Sequence, residues 1–310
     1  MAKEETGSSI TAIVNNRYFP FLLLSLGTFF WSTNFLIGRL LAEDIPPFTM
    51  TAGRFIVAAL VFGGMAIWYR WPLPRGNQWI YVFAMALTGV FLFNTVLYWG
   101  LSYTTAINAT LVNGFSPLLT TFLAVLILKE KASPRLMVGI VLSVCGVFFV
   151  AAKGSFDVLL NLDLNRGDLI VLLGALIWGS YTIIVRMFTK GYPVLPATAY
   201  ASLIGAILLL PAVYLEVQHT TPVITTASIA AFIYLGVFAS VIAFICWNWA
   251  ISKIGPIKAT IFYNLIPLYA AIMSPLLLGE SLYLLHLIGG ALIVGGVITG
   301  VWQSAAPVKK

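Results

Sequence analysis

Apolar stretches long enough to cross a bilayer alternate along this chain with short polar junctions. At ~20 apolar residues per spanning helix, they fall at about 18–41, 47–69, 77–101, 105–128, 134–152, 168–189, 195–215, 226–252, 257–278 and 282–303. The runs are continuous and do not alternate every second residue, so their pattern is that of membrane helices and not of lipid-facing barrel strands. Prolines mark the junctions: Pro46-Pro47, Pro72 and Pro74, Pro134, Pro193 and Pro196, and Pro256. There a missing N–H and a fixed φ cost little. The pattern predicts an all-α integral membrane protein with ten transmembrane helices.

Composition sharpens this. Of 310 residues 60% are hydrophobic and 9% charged, more apolar surface than one soluble core hides. A net charge of +7 raises the question of nucleic acid, but the basic residues are scattered through short junctions, and nucleic acid is not an expected partner. Their distribution fits membrane topology instead. With the N terminus inside, inner segments hold Lys3, Arg17, Arg70, Arg75, Lys129, Lys131, Arg135, Arg186, Lys190, Lys253, Lys258, Lys309 and Lys310, against Arg39, Lys153 and Arg166 outside. This bias favours an inner-membrane protein with both termini cytoplasmic. The first span, without a small-residue cleavage site, reads as retained. Cys145 and Cys246, both inside spans, read as small buried apolar residues.

A second pattern underlies the first. Ala109-Thr110, Asn113, Pro117, Glu130, Gly139 and Gly146 are followed 150 residues later by Ala259-Thr260, Tyr263, Pro267, Glu280, Gly289 and Gly296. Nearer the start of each half the offset is 147, relating Gly27, Trp31 and Arg39 to Gly174, Trp178 and Arg186. Five spans are therefore used twice. Five is odd, so the second copy enters the membrane from the opposite side. The expected architecture is two inverted five-helix repeats around a central cavity, an arrangement recurrent in secondary transporters. The chain divides into a tail at 1–17, a first repeat at 18–152, an extracytoplasmic linker at 153–167, a second repeat at 168–303 and a tail at 304–310.

No Asp or Glu lies inside a span, Asp168 and Glu280 standing at span ends, so the usual intramembrane proton relay or partner for a cationic drug is missing. No central Lys/Arg cluster is present to pair with phosphates, and Arg54, within the second span, is the one candidate. It lies near the outer end of its span, where it can snorkel or pair with Glu43 or Asp44. Neutral polar and aromatic residues remain. Asn94 and Tyr98, four apart, share a helix face, as do their counterparts Phe244 and Asn248. Trp31 and Asn34 are matched by Trp178 and Tyr181, and Asn113 by Tyr263, beside Asn264. An amide facing lipid is costly, so these residues are candidates to line the cavity and bind a small, partly apolar substrate. The same groups also suit a second role, hydrogen-bonding helix to helix. Mid-span Pro117 and Pro267 are candidate kinks and hinges. Small-residue faces at Gly139, Ser143 and Gly146, and at Gly296 and Gly300, suit close helix packing.

The stretch "PPFTMTAGRF", residues 98–150 and their second copy at 247–300 resemble the drug/metabolite transporter superfamily in its ten-span EamA-type branch. Trp31 to Arg39 and Trp178 to Arg186 resemble that family's span openings, although Ser32 stands where glycine is usual. The resemblance implies a metabolite carrier, commonly an exporter. It is nearest to the YddG-type exporters of aromatic and other amino acids. The substrate expected on that basis is an amino acid or related small metabolite. The alternative is a carrier of another neutral metabolite (sugar, nucleoside, purine or vitamin), coupled to protons. No paired span carboxylates, HExxH or ATP-binding motif occurs, so neither an enzyme nor primary transport is expected. No cofactor or metal is implied, and the protein is expected to be a monomer or weak homodimer in the lipid bilayer.

Overall fold

The computed structural model describes residues 16–104, 106–152, 157–160, 165–279 and 281–301. The 304–310 tail, Glu280 and most of the 1–17 tail and 153–167 linker lie outside the described residues. Ten helices are long and apolar enough to cross a membrane: α1 Phe19–Leu40, α2 Pro47–Trp68, α3 Gln78–Leu101, α4 Asn108–Leu128, α5 Pro134–Ala151, α6 Arg166–Phe188, α7 Val194–Val217, α8 Thr226–Ile254, α9 Pro256–Leu277 and α10 Leu284–Val301. The hydropathy boundaries agree with these to within three residues.

Local chemistry sets the ends. Proline at the first helical position opens α2, α5 and α9, where its absent N–H is no loss. The Ser133 hydroxyl accepts from the Leu136 amide at the start of α5. A capping box joins Asn165 and Asp168 at the start of α6, so that helix begins two residues before its hydropathy does. Thr225 and Ser228 do the same for α8. Gly255, at φ +84°, ends α8 and lets α9 start at once.

The packing has the symmetry of the repeat. The main contacts are α1 on α8 and α9, α6 on α3 and α4, α2 along α7, and α5 along α10. Advancing every helix by five maps this set onto itself. Apolar side chains cover the outside; Leu60, Ile67, Trp68 and Leu276 are each more than 70% exposed, as lipid-facing residues are. Burial of Cys246 agrees with expectation, but Cys145 faces outward. Hydrophobic burial does not drive helices together in lipid, so close contact must. The tightest contact is the α5–α10 seam, where Gly139 meets Gly296 and Gly146 meets Gly289 backbone to backbone.

Four helices are irregular, again in repeat-related pairs. α3 and α8 widen into π-helix at Ala86–Leu92 and Leu235–Ile242. α4 breaks between Asn113 and Ser116, and Pro117 stands in the first turn of the resumed helix. α9 tightens to 3₁₀ at Ile261–Asn264, with Pro267 in the helix that follows. In both halves the helix is irregular just before the mid-span proline.

Candidate functional site

A cavity of about 410 Å³ lies between α1, α2, α3, α6, α8 and α9. Its rim is at the ends of α1, α2 and α3, where Gly38, Ala42, Pro47, Leu101 and Ser102 line it. Its floor is aromatic and buried. The rings of Trp31 and Trp178 meet edge to face at 5.2 Å, and Trp178 lies 5.7 Å from Tyr263. Phe244 stands edge-on to both indoles, and Phe93 is 5.1 Å from Trp178. Trp31 and Trp178 are repeat counterparts in contact. So are Asn113 and Tyr263, joined by a 3.4 Å hydrogen bond from the Asn113 amide. Residues that touch their own counterparts lie on the pseudo-two-fold axis, so the floor sits on that axis.

The π segments shape this floor. The Trp31 indole donates to the Ala239 carbonyl, inside the α8 π segment, at 3.0 Å. Wide turns of this kind reroute backbone hydrogen bonds and occur often at functional sites. Gly89, inside the α3 π segment, lines the cavity and has the Tyr181 ring where a Cβ would stand. The Trp178 indole N–H is buried and has no partner among the described residues.

Of the residues expected to line a cavity, Trp31, Asn34, Asn94, Tyr98, Trp178, Phe244 and Tyr263 do so. Asn113, Tyr181, Asn248 and Asn264 are not among its lining. Tyr181 donates to the Asn248 side-chain oxygen at 2.9 Å, and the Asn248 amide donates to Thr198, tying α6, α8 and α7 together beneath the floor. The Asn264 amide donates to Ser143, fastening α9 to α5. These are the inter-helix bonds that the same residue types also predicted.

Arg54 departs from expectation. It neither snorkels nor pairs with Glu43 or Asp44. It is 5% exposed and lines the cavity. It donates to Ser240 Oγ at 2.9 Å and Asn94 Oδ1 at 3.2 Å, with its guanidinium 4.4 Å from the Phe55 ring. A lone charge inside an apolar span is the signal that pointed here.

The opposite face is closed. Arg186 Nη1 donates to the Ser252 carbonyl at 2.6 Å, and its Nε forms a 3.4 Å ion pair with Glu130, joining the ends of α4, α6 and α8. Tyr192 donates to the Pro72 carbonyl and Tyr200 to that of Trp71, drawing the start of α7 to the end of α2. Burial, and secondarily Tyr200, push the Tyr192 hydroxyl up to about 12, so it stays a protonated donor at physiological pH. The cavity thus reaches one face and is sealed from the other.

Comparison with known proteins agrees with this architecture. The uncharacterised transporter YyaM of Bacillus subtilis is 29% identical over 288 residues, covering 91% of this chain and 94% of its own. A probable terminal-alkyne amino-acid exporter of Streptantibioticus cattleyicolor is 27% identical over 227 residues, covering 73% of this chain and 74% of that protein. A solved crystal structure with 20% identity has the same fold at a TM-score of 0.79, covering 93% of this chain and 98% of that one. The EamA-like transporter family matches twice, at residues 19–152 and 165–301. With both halves matched and ten apolar helices folded around a one-sided cavity, the chain belongs to the EamA-like transporter family and is a multi-pass membrane transporter.

Proposed function

We propose that this transporter exports amino acids, aromatic and other neutral ones, or closely similar small metabolites, by alternating access. The carrying observation is the cavity itself, an aromatic and amide-lined chamber on the repeat axis that opens to one face only. Aromatic rings offer large contact area to an apolar side chain, and the amides orient a polar head group. The likeness to a probable amino-acid exporter supports the same substrate class.

In this proposal the first repeat spans 18–152, the second 168–303 and the linker 153–167, with both tails cytoplasmic in the inner membrane. The positive-inside distribution then makes the open face the outer one. Exchange of conformations between the repeats would close that face and open the inner one. Among the described residues no Asp, Glu or His lines the cavity, which supports facilitated exchange without an obligatory proton.

The test is uptake of radiolabelled phenylalanine and threonine into proteoliposomes. The expected result is uptake that is stimulated by unlabelled amino acid inside and unaffected by a pH gradient. No uptake of either by folded protein would retire the amino-acid assignment and direct attention to nucleosides and sugars. Dependence on the pH gradient would retire the uncoupled mechanism.

In the same proposal Pro117 and Pro267 act as hinges. The breaks beside them leave α4 and α9 in two segments each, free to change angle. The double variant Pro117→Ala, Pro267→Ala should fold and exchange about tenfold more slowly, a barrier change of ~1.4 kcal/mol. Exchange at the wild-type rate would leave these prolines a packing role alone.

A further inference from the structure

A cation buried in a membrane protein needs a counter-charge, and among the described residues Arg54 has none. Guanidinium carries five N–H donors; Ser240 and Asn94 take two of them. Both partners are neutral. The Asn94 orientation is fixed, because its amide nitrogen donates to the Val90 carbonyl at 2.6 Å and leaves its oxygen to Arg54. Among the described residues no carboxylate lies within ion-pairing distance of Arg54. The guanidinium is buried, held in place by α3 and α8, and in the cavity wall. Trp178, which also lines the cavity, has a buried indole N–H with no acceptor among the described residues.

From this geometry, and resting on the export function proposed above, we infer that Arg54 is the specificity-determining anchor for a carboxylate. The carboxylate is the group the site selects, and the substrate's apolar part lies against Trp31, Trp178 and Phe244. Two parallel N–H donors of a guanidinium match the two oxygens of a carboxylate. A phosphate dianion fits less well, because one Arg and no Lys would leave a net negative charge in an aromatic chamber. Among the described residues no acidic side chain lines the cavity, so an α-ammonium group meets only ring faces and amides and is dispensable for recognition. The site therefore separates acids from amines and does not separate amino acids from the corresponding acids lacking the amino group.

The experiment uses the full chain in detergent and in proteoliposomes with a matched ligand set: phenylalanine, 3-phenylpropanoate, phenylalaninamide and phenethylamine. The readouts are ligand-induced thermal stabilisation and competition with phenylalanine uptake. For the wild type, 3-phenylpropanoate should bind within about tenfold of phenylalanine, and the two ligands without a carboxylate about a hundredfold more weakly. Arg54→Gln, verified as monodisperse, should lose the preference for acids; Arg54→Lys should keep it with weaker binding. Equal binding of phenethylamine and 3-phenylpropanoate by wild type would overturn the inference, as would acid preference persisting in folded Arg54→Gln. Stabilisation by chloride equal to that by the acids would also overturn it. If Arg54→Gln does not fold, the ligand order of the wild type and Arg54→Lys decides. Stabilisation by 3-phenylpropanoate without amino-acid transport would uphold the carboxylate anchor and remove the amino-acid assignment. Equal phenylalanine transport by wild type and folded Arg54→Gln would do the reverse.

Discussion

Gly146→Leu is expected to yield no monodisperse protein from the membrane, whereas Gly64→Leu should purify as wild type. A Cβ added at Gly146 would stand 2.6 Å from the Gly289 carbonyl oxygen and 2.8 Å from the Ile293 amide nitrogen. Both are backbone atoms of α10 and cannot rotate away, so the helices must separate. Overpacking costs roughly 1–3 kcal/mol where side chains can yield and more where they cannot. Three further carbons of leucine deepen the clash. Separating α5 from α10 also removes the dispersion contacts that hold two helices together in lipid, where burial from water contributes little. Among the described residues nothing stands within 4 Å of a Cβ at Gly64, which makes it the matched control. Size-exclusion profiles and thermal unfolding in detergent read the difference. A stable, monodisperse Gly146→Leu would mean that the seam does not hold the fold.

Arg186→Gln is expected to loosen the closed face far more than Glu130→Gln. The ion pair between them is 24% and 27% exposed, and pairs so open to solvent contribute little, roughly 0–1 kcal/mol. Arg186 does more than form that pair. Its Nη1 reaches the Ser252 carbonyl at 2.6 Å and the Ile251 carbonyl at 3.4 Å, binding the free end of α8 to α6. Hydrogen bonds from a charged donor are worth about 1.5–3 kcal/mol when buried; discounted for exposure, ~1–2 kcal/mol remains. That shifts a two-state population by about 5–30-fold, against about twofold for Glu130→Gln. Hydrogen–deuterium exchange resolves the two: residues 251–256 and 129–133 should exchange faster in Arg186→Gln and nearly as wild type in Glu130→Gln. Equal protection in both variants and the wild type would assign the closure to other contacts, such as those of Tyr192 and Tyr200.

Much of the fold was legible because hydropathy and a 150-residue offset are one-dimensional signals. A run of apolar residues reports lipid or packed helix directly, and a repeat reports topology through the parity of its spans. The cavity was legible in part. Trp31, Asn34, Asn94, Tyr98, Trp178, Phe244 and Tyr263 line it, because polar groups in a span must face protein or a wet chamber. Helix spacing places a residue on a face but does not say what stands opposite. Tyr181 shares the face of Trp178, yet meets Asn248 below the floor. Asn264 adjoins Tyr263 and turns to Ser143 instead. Arg54 was misplaced for a related reason. Its distance from the end of α2 suggested a reach to water, but α2 packs along α7 and against the α8 π segment, which turns that face inward. The π segments themselves carry no hydropathy signal. ALTGVFL and LGVFASVI are ordinary membrane helix sequences, and the wider turn is a property of their hydrogen-bond register.

The α5–α10 seam is reciprocal. A Cβ at Gly139 would meet the Gly296 oxygen at 2.5 Å, and one at Gly296 the Gly139 oxygen at the same distance; Gly146 and Gly289 are related likewise at 2.6 Å. Exchanging each glycine for its repeat counterpart turns one pair into the other. That is the definition of an isologous contact, the kind formed by two identical subunits about a two-fold axis. One chain therefore carries, within itself, the interface of an antiparallel homodimer of five-helix subunits.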